Sequence, residues 1–189
     1  YKSYVIMGNI DYKPVFMNLA LKWNKNQNNL KIVESFLVEE LDQNYALCLI
    51  SGSVDNKRFS GEVSVENFKS CLSQINPAGK PIIMCSHQPP SGTKIAMLNK
   101  GLEIDVGNII LREKIDELKK GSAVLSFSGH LHEHACEYDI QEKLICVNGG
   151  CINWAYKSEI NKYTVFNTEK REIVFYSLGN KKDTSITFK

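Results

Sequence analysis

The sequence predicts an α/β fold built on a mixed sheet or on two packed sheets. Three observations lead there. Short apolar runs ending in turn residues alternate with amphipathic helical stretches as far as Phe127. From Ala135 onward, strand-like pairs joined by short turns take over. The length, 189 residues, suits one domain with a sizeable core and does not demand two, so residues 1–189 read as a single domain.

The first run, residues 4–7, is β-prone and ends at Gly8-Asn9. Pro14 then stands at a plausible first helical turn, ahead of Val15, Phe16, Leu19 and Trp23 at helical spacing. Two strands are expected over 31–37 and 45–50, separated by the acidic Glu39-Glu40-Leu41-Asp42. Residues 51–62 form a loop rich in Gly, Ser, Asn and Asp. Ser64 opens a helix whose Phe68, Cys71, Leu72 and Ile75 share one face, and Pro77-Ala78-Gly79 stops it. A buried strand over 81–85 leads into His87. The stretch 107–120 repeats the scheme with a helix bearing Ile109, Ile110, Ile115 and Leu118, stopped by Gly121. The strand 124–127 follows. Hairpins are then expected from 136–140 with 144–147, and from 163–166 with 173–176.

Composition narrows the function. Basic residues number 23 and acidic ones 21, with the signs interspersed, so no nucleic-acid stripe or membrane-binding face is evident. No apolar run approaches the roughly 18 residues of a membrane span, and no signal peptide is visible. Six cysteines lack any CxxC spacing, and Cys48, Cys85 and Cys146 lie inside apolar runs. They read as free thiols in a reducing, cytoplasmic setting.

The chain has four histidines, all in two short stretches. His87 ends one apolar run and precedes Gln88-Pro89-Pro90; His130, His132 and His134 follow another, directly after Gly129. Imidazole is the commonest ligand of transition metals, and ligands of open α/β sheets gather at the carboxyl ends of strands. Asn9, His87 and His130/His132 each follow such an end, and Asn9 would add an oxygen donor. If the segment stays extended, period two puts His130 and His132 on one side and Leu131 on the other. Taken singly, each residue also has an ordinary reading: His87 as a loop residue, Asn9 as a turn residue, the three later histidines as a surface tract. The cysteines and histidines complete no obvious zinc-finger spacing, which argues against a structural zinc site.

The order Gly8-Asn9-Ile10-Asp11, Ser86-His87-Gln88-Pro89-Pro90 and Gly129-His130-Leu131-His132 resembles the last three motifs of the calcineurin-like metallophosphoesterases, especially the small Icc-related and YfcE-like phosphoesterases. Pro89-Pro90-Ser91-Gly92-Thr93, Val106-Gly107-Asn108 and Val147-Asn148-Gly149-Gly150 extend the likeness over essentially the whole chain. The resemblance implies a mixed-sheet metallophosphoesterase-like β-sandwich flanked by helices. It implies one metal held by Asn9, His87 and His130 and a second reached by His132. It also implies hydrolysis of a phosphomonoester or phosphodiester by a metal-activated water, with Mn as the expected divalent ion and Fe, Zn or Mg as alternatives.

Asp11 sits where the family has a carboxylate that orients the catalytic histidine, but that histidine is Ile10 here. His134, two residues past His132, is a speculative replacement; a surface position is its other reading. The family's first two motifs, Asp-x-His and Gly-Asp, have no counterpart in residues 1–189. The resemblance thus implies a C-terminal portion whose N-terminal βαβα segment is removed, disordered or supplied by another chain or an oligomer. A dinuclear centre would need that segment. The rival expectation is a non-catalytic phosphoesterase-fold scaffold that binds protein partners.

Overall fold

The computed structural model describes residues 2–9, 11–26, 29–54, 61–77, 79–98, 104–150, 162–177 and 181–188. Strand β1 (Ser3–Ile6) runs through Met7–Asn9 towards helix α1 (Lys13–Asn26), with Pro14 in the first turn, where its missing N–H costs nothing. Strands β2 (Leu30–Val33) and β3 (Phe36–Glu40) replace the single strand expected over 31–37. The break falls at Glu34-Ser35, and Glu39-Glu40 lie inside β3 instead of following it. An edge strand tolerates such acids because one flank faces water, and Glu39 also accepts a hydrogen bond from Tyr4 Oη of β1.

Strand β4 (Ala46–Ile50) precedes helix α2 (Val65–Ser73), capped by Ser64 Oγ, which accepts from Asn67 N at 3.2 Å. Strand β5 (Ile82–Ser86) is followed by a minimal hairpin of β6 (Met97–Leu98) and β7 (Ile104–Asp105). Helix α3 (Ile109–Leu118) is capped by Asn108 Oδ1, which accepts from Leu111 N at 2.9 Å. Then come β8 (Val124–Ser128), β9 (Tyr138–Gln141), β10 (Leu144–Asn148), β11 (Lys162–Asn167), β12 (Glu172–Ser177) and β13 (Lys181–Thr187). The last strand went unforeseen because Ile186 is its one large apolar residue.

Six strands form a mixed sheet in the order β3-β4-β5-β8-β10-β9, so the fold is α/β. Its four inner strands run parallel, and the edge strands β3 and β9 are antiparallel to their neighbours. Period two divides each inner strand between two cores. Cys48, Ile50, Ile82, Met84, Val124 and Leu144 face α2 and α3, where they meet Phe68, Leu72, Leu111 and Ile115. Leu47, Leu49, Ile83, Leu125 and Val147 face the other way, onto Val33 of β2 and Ile173 and Phe175 of β12. That second face is covered by two separate pieces: the parallel pair β1-β2 and the three-stranded β11-β12-β13.

Two openings lie at the ends of the inner strands. One, of about 390 Å³, is lined by Tyr45, Leu125, Ile145 and Phe188 among others. The second, of about 300 Å³, is lined by Ile6, Gly8, Cys85, His87 and Phe127. Leu125 and Phe127 lie two apart on β8, opposite Ile145 on β10 and Cys85 on β5 respectively. The first lies at the amino ends of β5, β8 and β10 and the second at the carboxyl ends of β1, β5 and β8; Cys85, Phe127 and Ile145 are only half-buried. The helical face foreseen for α1 is present, yet Val15, Leu19, Leu21 and Trp23 are exposed on that helix.

Cys48, Cys71, Cys85, Cys136 and Cys146 are free thiols; Cys151 lies outside the described residues. Among the described residues, no helix is long and apolar enough to cross a membrane.

Candidate metal-binding site

The site is assembled from three loops at the carboxyl ends of β1, β5 and β8. Asn9 stands on the first. Its loop is strapped by Ser51 Oγ, which accepts from Met7 N (2.8 Å), and by Gly52 N, which donates to Met7 O (2.7 Å). Gly61 N also donates to Asn9 O at 3.0 Å. A Cβ at Gly61 would come within 1.9 Å of Gly8 O, so only glycine permits that approach. Asp11 Oδ2 accepts from Gly8 N at 2.6 Å and closes the turn that presents Asn9. This is the position the structure gives to the carboxylate expected to orient a catalytic group.

His87 follows β5 and is half-buried. Its ring packs flat against the backbone of Gly8, where a Cβ would lie 2.9 Å from His87 Nδ1. Its Nε2 is the nitrogen that makes the contacts of the site. It meets Asn9 Oδ1 at 2.9 Å and His130 Nδ1 at 3.1 Å. The two imidazoles cross edge-to-face with centroids 5.0 Å apart. Gly129 N donates to His87 O at 3.1 Å and ties the two histidine loops together.

Protonation makes this contact informative. A neutral imidazole carries one N–H, which can be aimed at one partner, yet His87 Nε2 faces two. A cation placed among the three atoms would satisfy all of their lone pairs. Donors about 2.1 Å from one ion in octahedral array stand roughly 3.0 Å from their neighbours, which matches the two contacts that His87 Nε2 makes. Burial, and then the nearby His130, push the His87 pKa down to about 4. The ring is thus neutral near pH 7, the form that ligates metal. The neighbouring Cys85 thiol is pushed up to about 12 by burial and offers neither thiolate ligand nor nucleophile. Among the described residues, no three His, Cys, Asp or Glu side chains converge as a metal-holding group. The convergent set is two imidazoles and one amide.

The later histidines diverge, contrary to the extended alternation expected of them. His130 adopts a left-handed φ of 69°, and His132–His134 form a 3-10 turn, so period two does not apply. His132 is exposed at the start of that turn, near enough to His87 for their charges to interact. His134 is neither on the surface nor aimed at the set. It is 4% exposed, with Nδ1 bonded to Glu137 Oε2 at 3.0 Å and Nε2 to Met97 O at 2.6 Å. Those bonds pin the β6 strand to the turn.

Two residues that sequence reasoning passed over hold the site in place. Gln88 is buried, and its Oε1 accepts from Val54 N (3.0 Å) and Asn108 Nδ2 (3.1 Å). This joins the residue after His87 to the Ser51–Val54 loop and to the α3 cap. Asn148, at the end of β10, is 1% exposed and bonds the backbone on both sides of His130. Their polar side chains beside glycine and proline turns were the available signal.

Arg112, a cation that could meet a phosphate, is committed within the fold. It donates to Asp116 Oδ2 at 2.9 Å, Gln141 Oε1 at 2.9 Å and Ser91 O at 3.3 Å. Lys94 lies 3.5 Å from Glu137. Lys100, Lys157 and Ile10 lie outside the described residues. The chain matches no family model. No curated protein matches it either.

Proposed function

We propose that this chain is a calcineurin-like metallophosphoesterase domain that binds a divalent metal, Mn foremost and Fe, Zn or Mg as alternatives. The substrate would be a phosphomonoester or phosphodiester. The observation that carries the reading is the meeting of Asn9 Oδ1, His87 Nε2 and His130 Nδ1 at ligand spacing. These residues are far apart in sequence and come from three strand ends. When bound, the metal would polarise a phosphoryl oxygen and lower the pKa of a bound water. The chain's own residues would do the holding. His87 and His130 supply neutral nitrogen donors, Asn9 an oxygen, and the Gly8 backbone and Asp11 fix the first loop.

Two imidazoles and an amide bring no negative charge, and a dication prefers anionic oxygen. The proposal therefore includes carboxylates from a segment bearing Asp-x-His and Gly-Asp motifs, either preceding this chain or on a partner. Half-buried Cys85 and Phe127, which line the opening beside Gly8 and His87, support such cover. Ile10, in place of the family's histidine, favours the second reading, a non-catalytic scaffold of the same fold whose apolar surface docks a protein. His132 and a dinuclear centre belong to the first reading, contingent on the added segment.

The test is metal analysis and turnover of an aryl phosphate with added Mn, on this chain and on an N-terminally extended one. The extended protein should hold metal and turn over, and His87→Ala should abolish both. Metal-free, inactive extended protein would remove the enzyme reading and leave the scaffold.

A further inference from the structure

We infer that Asn148 is the positioning residue of this site: its amide holds His130 in the left-handed conformation that brings Nδ1 to His87. The inference rests on the metal reading above for its consequence and on geometry alone for its structural claim. A left-handed backbone at a residue with a Cβ costs of order 1–2 kcal/mol and persists where its surroundings impose it. His130 has φ 69°. Glycine is not used there because the side chain is needed.

Asn148 supplies what holds this backbone. Its Nδ2 donates to Leu131 O at 2.8 Å and to Gly129 O at 3.3 Å, the carbonyls of the two residues that flank His130. A side-chain amide has two N–H donors, so both are spent on this one turn. Its Oδ1 accepts from Gly150 N at 3.2 Å.

The backbone of Asn148 is fixed as firmly. Its N–H donates to Glu137 O at 2.9 Å and its carbonyl accepts from Cys136 N at 3.2 Å. It also pairs with Ser128 in the parallel β8–β10 ladder, and Gly149 N donates to Ser128 O at 2.8 Å. The amide thus sits on a rigid strand end and reaches sideways onto the turn. No other residue type offers two donors from that position at that reach: Asp offers none when ionised, Ser one, Leu none.

The experiment compares the chain with its Asn148→Asp and Asn148→Ser variants by thermal unfolding, by the ring-to-ring nuclear Overhauser contact between His87 and His130, and by Mn(II) titration. Asn148→Asp should lose the ring contact and weaken Mn(II) binding by roughly 10–100-fold, the usual penalty for losing an outer-shell partner. Asn148→Ser, with one donor left, should fall between; it carries the test if the Asp variant does not fold. A general loss of stability would shift the melting temperature without selectively removing the ring contact. Ring contact and Mn(II) affinity both unchanged in a folded variant would overturn the inference. If the unaltered chain binds no Mn(II), the metal reading fails in this chain, and the ring contact alone decides the positioning role.

Discussion

The two faces of the six-stranded sheet are finished to different degrees. On the helical face, Met84, Ile95, Leu111 and Ile115 are fully buried, and α2 and α3 are both capped by side chains. The opposite face is roofed by two small sheets, with openings at either end of its inner strands. Helix α1 leaves apolar side chains exposed: Val15 is 54% and Leu21 57% exposed. Val15, Leu19 and Trp23 recur at four-residue spacing and share one side of the helix, with Leu21 on another. The candidate site lies where the two regions meet. His87 and His130 stand on strands secured by the closed core, whereas Asn9 is carried by the thinner layer. The ligand set therefore combines a rigid half and a half held mainly by backbone straps.

The largest contrast is in packing. Ile115→Ala empties a site with no solvent exposure and should cost about 2–5 kcal/mol. Leu21→Ala on the exposed face of α1 should stay within about 0.5 kcal/mol in the same chain. Denaturant unfolding measures both. A cost above about 1.5 kcal/mol for Leu21→Ala would show the α1 face to be covered in solution and would erase the contrast.

Much of the closed region was legible in the sequence. Residues 81–85 are an unbroken apolar run and 124–127 one interrupted only by Ser126, each between turn signals, and β5 and β8 occupy them almost residue for residue. Ser64 and the Phe68–Leu72 spacing announced α2. The open region was less readable. Glu34-Ser35 breaks an apolar run without glycine or proline, and β13 is polar along most of its length. In the site, strand-end logic anticipated that Asn9, His87 and His130 would gather. It could not anticipate their divergence from His132 and His134, because a left-handed His130 has no local sequence mark. The contact that accompanies it comes from Asn148, 17 residues beyond Leu131. Gly61 was hidden for the same reason: its close approach to Gly8 is a tertiary fact.

The thinner half of the site can be broken at Gly8. A methyl group there would sit 2.9 Å from His87 Nδ1, well inside contact distance. Gly8→Ala should cost about 1–3 kcal/mol, as overpacking does, and turn the His87 ring away from Asn9 and His130. Loss of the ring-to-ring contact by NMR, alongside weaker Mn(II) binding, is the expected result. An unchanged ring contact would show that the β1 loop yields before the histidine does, reversing which half is the rigid one.

The smallest effect tests whether the turn beyond His130 belongs to the rigid region. Both ring nitrogens of His134 meet acceptors, Glu137 Oε2 and Met97 O, so the bonded ring is the imidazolium. Burial opposes that charge, but the Met97 carbonyl, Glu137 and, more distantly, Glu133 outweigh it and raise the pKa above the ordinary value. Lys94, 3.5 Å from Glu137, helps keep that carboxylate ionised. A raised folded pKa adds stability that is complete below the unfolded value of about 6.5 and is lost as pH rises through the folded one. The melting-temperature gap between the chain and His134→Gln should therefore be widest near pH 5.5 and narrow by pH 8.5. Charge-assisted hydrogen bonds of this kind contribute about 1.5 kcal/mol each, which sets the scale. A gap that is constant or grows with pH would mean a neutral ring, with one of its two anchors absent. The 132–137 turn would then be held by Asn148 and the backbone alone.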